Sequence, residues 1–304
     1  MEDFLIPVFL TDISWGIWLD ELMAPLRETV YNILTSFFDI FNLRMWGIGV
    51  WDTMMRLIGA TATTTPQAFS TGAWNFLINT ALDFTMFVGG SLLNAFYMVG
   101  IVRQSTNLKE NFTLEIFVEN VIKMLLANLL ILHGIDLINI LFDLSNVATG
   151  LFLIDNTPSI NTGQWDLGTL FTDWLFGIVF FIVSIVCSWQ ILFTVYQRYI
   201  TLYILITLYP IALSTIPGGH GVSSTASAWV RTFLGKTFEI VVIALALSFA
   251  SYLCRGIDFG MASDGSLGSL FDGVLQTLQS IATMIIVAGS VKGVDALMNK
   301  ALNL

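Results

Sequence analysis

The chain has 304 residues, a formal net charge of −10, 56% hydrophobic residues and only 11% charged ones. Soluble domains carry about 25% charged residues. With a mean hydropathy of +0.80, a water-soluble globule is excluded, and a bilayer is the solvent that accepts so apolar an exterior. The acidic balance also makes the chain a poor primary nucleic-acid binder, because phosphate backbones attract cations.

The start, Met1-Glu-Asp-Phe-Leu-Ile-Pro7, lacks a basic leader and is expected not to be a cleaved signal peptide. Residues 1–73 are apolar but broken by charge, and no window reaches the ~20 apolar residues of a span. Val30, Ile33, Leu34, Phe37, Phe38 and Phe41 fall on one helical face. With Trp15, Trp18, Trp46 and Trp51 suited to an interface, the segment reads as extracytoplasmic amphipathic helices on the bilayer or against the spans. A soluble amphipathic cap is the alternative. The Thr/Pro-rich stretch Ala60–Gln67 reads as a linker.

Residues 74–304 form the transmembrane part of an all-α, polytopic protein. Spans are expected near 84–102, 121–142, 174–197, 237–254 and 273–291. The stretch Trp174–Ile216 is 43 residues with Arg198 as its one charge. As a single helix it would be about 64 Å long, against a hydrocarbon core about 30 Å thick. It either crosses twice, turning at Gln197–Arg198, or crosses once and continues. Thr194–Thr201 has no Gly, Pro, Asn or Asp, which disfavours a tight turn. Lys and Arg favour the cytoplasmic side. With five spans and the amino terminus outside, Arg103, Lys109, Arg231, Lys236, Lys292 and Lys300 all face the cytoplasm, while Arg255 faces outward. Residues 199–216 then form an inner-face or kinked helix interrupted at Pro210. Asp143–Asp173 and Gly256–Asp272, which lack Lys and Arg, are expected as outer loops.

Motifs for chemistry are weak. Leu234-Gly-Lys-Thr237 matches the end of a phosphate-binding loop, but Val230 stands where its first glycine belongs. His133 and His220 lack partners at metal-ligand spacing. Cys187 and Cys254 make neither a disulfide framework nor a metal pattern. No catalytic residue, cofactor or metal is expected, and the chain is read as a non-enzyme. The polar residues within the spans are more informative. Glu119 and Lys123 are spaced i, i+4 and should pair. His133 and Asp136 lie deeper in the second span and are candidates to face the bundle or a pore. Gly289 and Gly293 form a G-x-x-x-G, and Gly89-Gly-Ser91 permits close helix approach.

One block carries a resemblance. Tyr196-Gln-Arg-Tyr-Ile-Thr-Leu-Tyr-Ile-Leu-Ile-Thr-Leu-Tyr-Pro210 is followed by Pro217-Gly-Gly and then Trp229-Val-Arg-Thr-Phe-Leu-Gly-Lys-Thr-Phe238. It resembles the TrbL-like polytopic inner-membrane subunits of conjugative type IV secretion systems. Arg103–Thr113 with Leu114-Glu-Ile-Phe-Val-Glu119 is similar to versions on Gram-positive mobile elements. The resemblance covers roughly residues 75–300 and has no catalytic signature. It implies a channel or platform subunit in the bacterial plasma membrane, assembled as a homo-oligomeric ring. Such a subunit would work with other secretion subunits and cytoplasmic ATPases, with relaxase-bound DNA as a transient substrate. Arg198, Trp229, Arg231 and Lys236 are then candidates for cytoplasmic partner contacts. A small-solute or ion transporter is the alternative from another class, and an accessory insertase or lysis factor a third.

Overall fold

The computed structural model describes residues 29, 33, 43–106, 114–153, 167–219, 221–255 and 268–301. The expected amphipathic face of 28–42, apart from Thr29 and Ile33, lies outside the described residues, as do Trp15, Trp18, Lys109 and His220. Helices α1 (Leu43–Ala62), α2 (Pro66–Phe69) and α3 (Thr71–Phe76) come first. One wide π-helical stretch, Leu77–Leu82, joins α3 to α4 (Asp83–Thr106). Then follow α5 (Leu114–Leu153), α6 (Leu167–Leu213), a single 3-10 turn at Ile216–Gly218, α7 (Ser223–Arg255) and α8 (Gly268–Ala301). No strand occurs among the described residues.

Among the described residues, five helical stretches are long and apolar enough to cross a bilayer: Thr71–Arg103, Phe117–Leu153, Leu175–Leu213, Ser223–Leu253 and Val274–Ala301. The chain is therefore an all-helical, multi-pass membrane protein. α6 runs unbroken through Gln197 and Arg198, so the stretch does not reverse there. The expected loop at Asp143–Asp173 is shorter than its polarity suggested, because α5 continues to Leu153 and α6 already begins at Leu167. Polar groups in the last turns of α5 are absorbed by the helix and its neighbours: Thr149 Oγ1 donates to the Ser145 carbonyl at 2.8 Å. The expected linker at Ala60–Gln67 is only a short turn, with α1 ending at Ala62 and α2 starting at Pro66.

The chain divides into two compact units. The first comprises Met1–Leu57, Asn156–Leu192 and Leu247–Ser290. In it, Ser184 Oγ of α6 donates to the Gly47 carbonyl of α1 at 2.6 Å, and the Arg44 guanidinium lies 5.8 Å from the Phe180 ring centroid. Trp46 is exposed, whereas Trp51 is fully buried. Trp51 is thus a core residue rather than an interfacial one, since it shares the inward face of α1 with Ile48 and Met55.

The second unit comprises Ile58–Asp155, Phe193–Ala246 and Val291–Leu304. Its core joins Ala127, Ile131, Ile138 and Phe142 of α5 to Leu202, Ile206, Tyr209 and Leu213 of α6, with Leu93 of α4 and Phe233 of α7. The α6 set is spaced i, i+4, i+7, i+11, one face of a helix. Residues 199–213, expected at the inner face or as a kinked helix, are therefore packed into the heart of α5. Pro210 removes one helical N–H, yet Ser214 N still donates to the Pro210 carbonyl at 3.1 Å. Gly89 makes room for that ring, since a Cβ there would sit 2.8 Å from Pro210 main-chain atoms. Gly100 lies so close to the Pro217 carbonyl oxygen that any Cβ would overlap it. Gly219 and Gly221 take positive φ of 78° and 94° in the turn before α7, which glycine adopts without steric cost.

Gly100→Leu should destabilise the protein by about 1–3 kcal/mol through overpacking. Gly90→Ala, where a Cβ meets nothing within 4 Å, should stay within about 1 kcal/mol of wild type. Thermal unfolding of both variants in one detergent checks the contrast.

Candidate functional site: a buried charged layer

Arg198 sits on the face of α6 that meets α7 and is 4% exposed. Its Nε donates to the Lys236 carbonyl at 2.9 Å and its Nη2 to the Thr237 carbonyl at 3.0 Å. Ser145 Oγ of α5 donates to the same Thr237 carbonyl at 2.8 Å. Three helices are thus tied at one peptide group of α7. The two-pronged geometry needs guanidinium, whose donors lie in a fixed plane, and a lysine ammonium cannot reproduce it.

The Lys236 side chain turns the other way. Its Nζ lies 2.5 Å from Asp295 Oδ1 of α8 and 3.1 Å from Glu239 Oε2 one turn along α7. Glu239 is only 3% exposed. Two cations and two carboxylates therefore share the layer, which makes it formally neutral. Neutrality matters, because a lone charge at mid-bilayer costs roughly 2.5–3.5 kcal/mol on insertion scales. The Thr237 hydroxyl is buried with no hydrogen-bond partner among the described residues.

Aromatic groups on α6 continue the pattern after Arg198. Tyr199 OH donates within reach of the Thr61 and Thr64 carbonyls, at 2.5 and 2.8 Å, and its ring stacks on Phe69 at 4.0 Å. Tyr203 OH donates to the Pro66 carbonyl at 2.7 Å, and Tyr209 OH to the Ile131 carbonyl at 2.8 Å. Trp229 Nε1 of α7 donates to the Leu205 carbonyl at 3.0 Å, with its indole stacked on Phe233 at 5.1 Å. These four groups, three tyrosine hydroxyls and one indole N–H, thereby find acceptors, as an apolar interior demands.

The residues expected at a site divide accordingly. Arg198 and Lys236 come together in this layer with Glu239 and Asp295. Neither Glu239 nor Asp295 is among the site residues expected from the sequence. The i, i+3 spacing of Lys236 and Glu239 was a usable signal; Asp295 had none, because its partner lies on another helix. Arg198 is buried and Trp229 half-buried, each hydrogen-bonded to a neighbouring helix. Arg231 alone of that group is exposed. Glu119 and Lys123 pair at 2.6 Å along α5. His133 Nδ1 and Asp136 Oδ2 are 3.7 Å apart, with side chains 69% and 79% exposed. That pair faces outward on this chain and not into its own bundle. Gly89 makes the close approach described above, but a Cβ on Gly289 or Gly293 would meet nothing within 4 Å. No group of three or more His, Cys, Asp or Glu able to hold a metal occurs among the described residues.

No protein-family model, curated protein or solved structure matches this chain.

Arg198→Lys should lose about 3 kcal/mol of stability, the scale of two hydrogen bonds from a buried charge. Lys236→Met should lose about 3–5 kcal/mol because it strands a buried carboxylate. Adding Glu239→Gln to Lys236→Met should recover part of that loss. Thermal unfolding of the single and double variants reads the order, and a double variant less stable than Lys236→Met would contradict it.

Proposed function

We propose that the chain is a channel or platform subunit of a conjugative type IV secretion system. It would support passage of relaxase-bound DNA and protein across a bacterial plasma membrane. One observation carries the reading. The two segments that bear the resemblance, Tyr196–Pro210 and Trp229–Phe238, are the segments that lock α6 to α7. Arg198 holds the carbonyls of Lys236 and Thr237, and Trp229 holds that of Leu205. The family-like residues therefore have a shared physical task, which favours a common architecture over a chance likeness of apolar runs.

In this reading the chain is a non-enzymatic subunit that assembles as a ring, and partner ATPases supply the energy. Its amino terminus lies outside and its carboxyl terminus in the cytoplasm, with Arg231 and Lys300 toward the cytoplasmic side of the layer that holds Lys236. Arg231, exposed on α7, is the member of the expected set that is open to a cytoplasmic partner.

A small-solute or ion transporter is the second reading. It is favoured by the ion pairs that Lys236 makes with the buried Glu239 and with Asp295, and by the Thr237 hydroxyl, which has no partner among the described residues, since intramembrane ionisable groups mark ion and proton pathways in many transporters.

Deletion of the coding sequence from its mobile element should reduce conjugative transfer to background, with restoration by a plasmid-borne copy. Normal transfer by the deletion strain would end the secretion reading, and solute flux by purified protein in liposomes would support the second. For topology, Ile160→Cys should react with an impermeant thiol reagent from outside intact cells and Thr225→Cys should not. Outside labelling at 225 would refute the five-span orientation.

A further inference from the structure

The outward face of α5 poses a problem that lipid does not solve. Asp136 and Asp143 are exposed on a span otherwise lined outward by Leu129, Leu132, Leu137, Ile140, Leu144 and Val147. The Asp136 carboxylate is 79% exposed, and His133, 3.7 Å away, is itself exposed. Carboxylates on a membrane helix face protein or water, and among the described residues none covers these two.

The same unit exposes the opposite charge elsewhere. Arg231 on α7 and Lys292 and Lys300 on α8 are all exposed. Contacts in the charged layer fix their heights. Ser145 meets Thr237 and Lys236 meets Asp295, so these four residues share one level. At about 1.5 Å per residue, Asp143 lies about 3 Å from that level along α5. Lys292 and Lys300 lie within about 8 Å of it along α8. Arg231 lies about 9 Å from it along α7, and Asp136 about 13 Å along α5. The contact of Phe142 with Phe233 shows that both are displaced in the same sense. Acidic α5 and basic α7–α8 surfaces therefore occupy one belt of the unit.

A rotation about an axis running along the helices preserves height. It brings the acidic face of one copy against the basic face of the next at matching depth, which is the head-to-tail geometry of a closed ring. Small residues on α8 assist close approach: Gly293 faces open space and Ala296 is exposed.

We propose that a second copy of this chain covers the outward face of α5, setting its Arg231, Lys292 and Lys300 against Asp136 and Asp143. The inference deepens the ring named under the proposed function and rests on that part of it. Its test reads subunit contact and not DNA transfer, so the two fail separately.

The test uses full-length protein in native membranes, with Cys187→Ser and Cys254→Ser as background. Copies carrying Leu144→Cys are co-expressed with differently tagged copies carrying Ala296→Cys, and the membranes are oxidised. The expected result is a disulfide-linked dimer containing both tags. Val147→Cys with Leu297→Cys serves as a second pair. Asp136→Lys with Asp143→Lys in the α5-labelled copy should lower the yield roughly tenfold, as like charges meet. Arg231→Glu, Lys292→Glu and Lys300→Glu in the other copy should restore it. Two results overturn the proposal. One is absence of any mixed-tag dimer from both pairs while all variants reach the membrane at wild-type levels. The other is rapid reaction of Leu144→Cys with a charged maleimide, which would put water against α5.

Discussion

A guanidinium among packed apolar helices must be given acceptors, and Arg198 takes two consecutive carbonyls of α7. Much of the second unit follows from that demand. The fork reaches two adjacent carbonyls only when α7 lies at one height beside α6. Ser145 then approaches the same peptide group from α5, which fixes a third helix. With the main chain of Lys236 occupied by Arg198, its side chain is directed to Glu239 and Asp295. That brings in the end of α8. Hydrophobic burial gives little direction to helices in lipid, because the tails are as apolar as leucine. A few charged and polar contacts can set the register that apolar packing leaves open.

The tyrosines of α6 act in the same way with weaker groups. Tyr199 and Tyr203 donate to carbonyls at the turn between α1 and α2. Tyr209 reaches the Ile131 carbonyl in the middle of α5. Gly134 stands beside it, and a Cβ there would come within 2.6 Å of the Tyr209 ring. One helix thus holds four neighbours, α1, α2, α5 and α7, by hydrogen bonds from its aromatic and basic residues. This accounts physically for why Tyr196–Pro210 is so rich in such residues, and it places their work inside the protein.

The spans were legible in the sequence because long apolar runs have one economical home. The Glu119–Lys123 pair was legible because i, i+4 neighbours meet on any helix. Which way a residue faces was not legible on α5, where apolar residues surround the whole circumference and periodicity carries no direction. His133 and Asp136 were therefore assigned to the bundle or a pore, and they lie on the outside. Arg198 misled in the opposite sense: a single charge in an apolar stretch reads as a membrane-edge residue. Its acceptors are main-chain atoms of another helix, which leave no mark in side-chain chemistry. The polar turns of Asp143–Leu153 read as loop because Ser145 and Thr149 find their partners only once the helix is packed.

The most direct measurement is a single-particle structure of the full-length protein in lipid nanodiscs, at a resolution that places side chains. The account predicts the Arg198 guanidinium between the carbonyls of Lys236 and Thr237, with Ser145 on the second of them and Lys236 between Glu239 and Asp295. An Arg198 side chain extended to lipid headgroups or to water, with α7 displaced from α6 at that level, would contradict it.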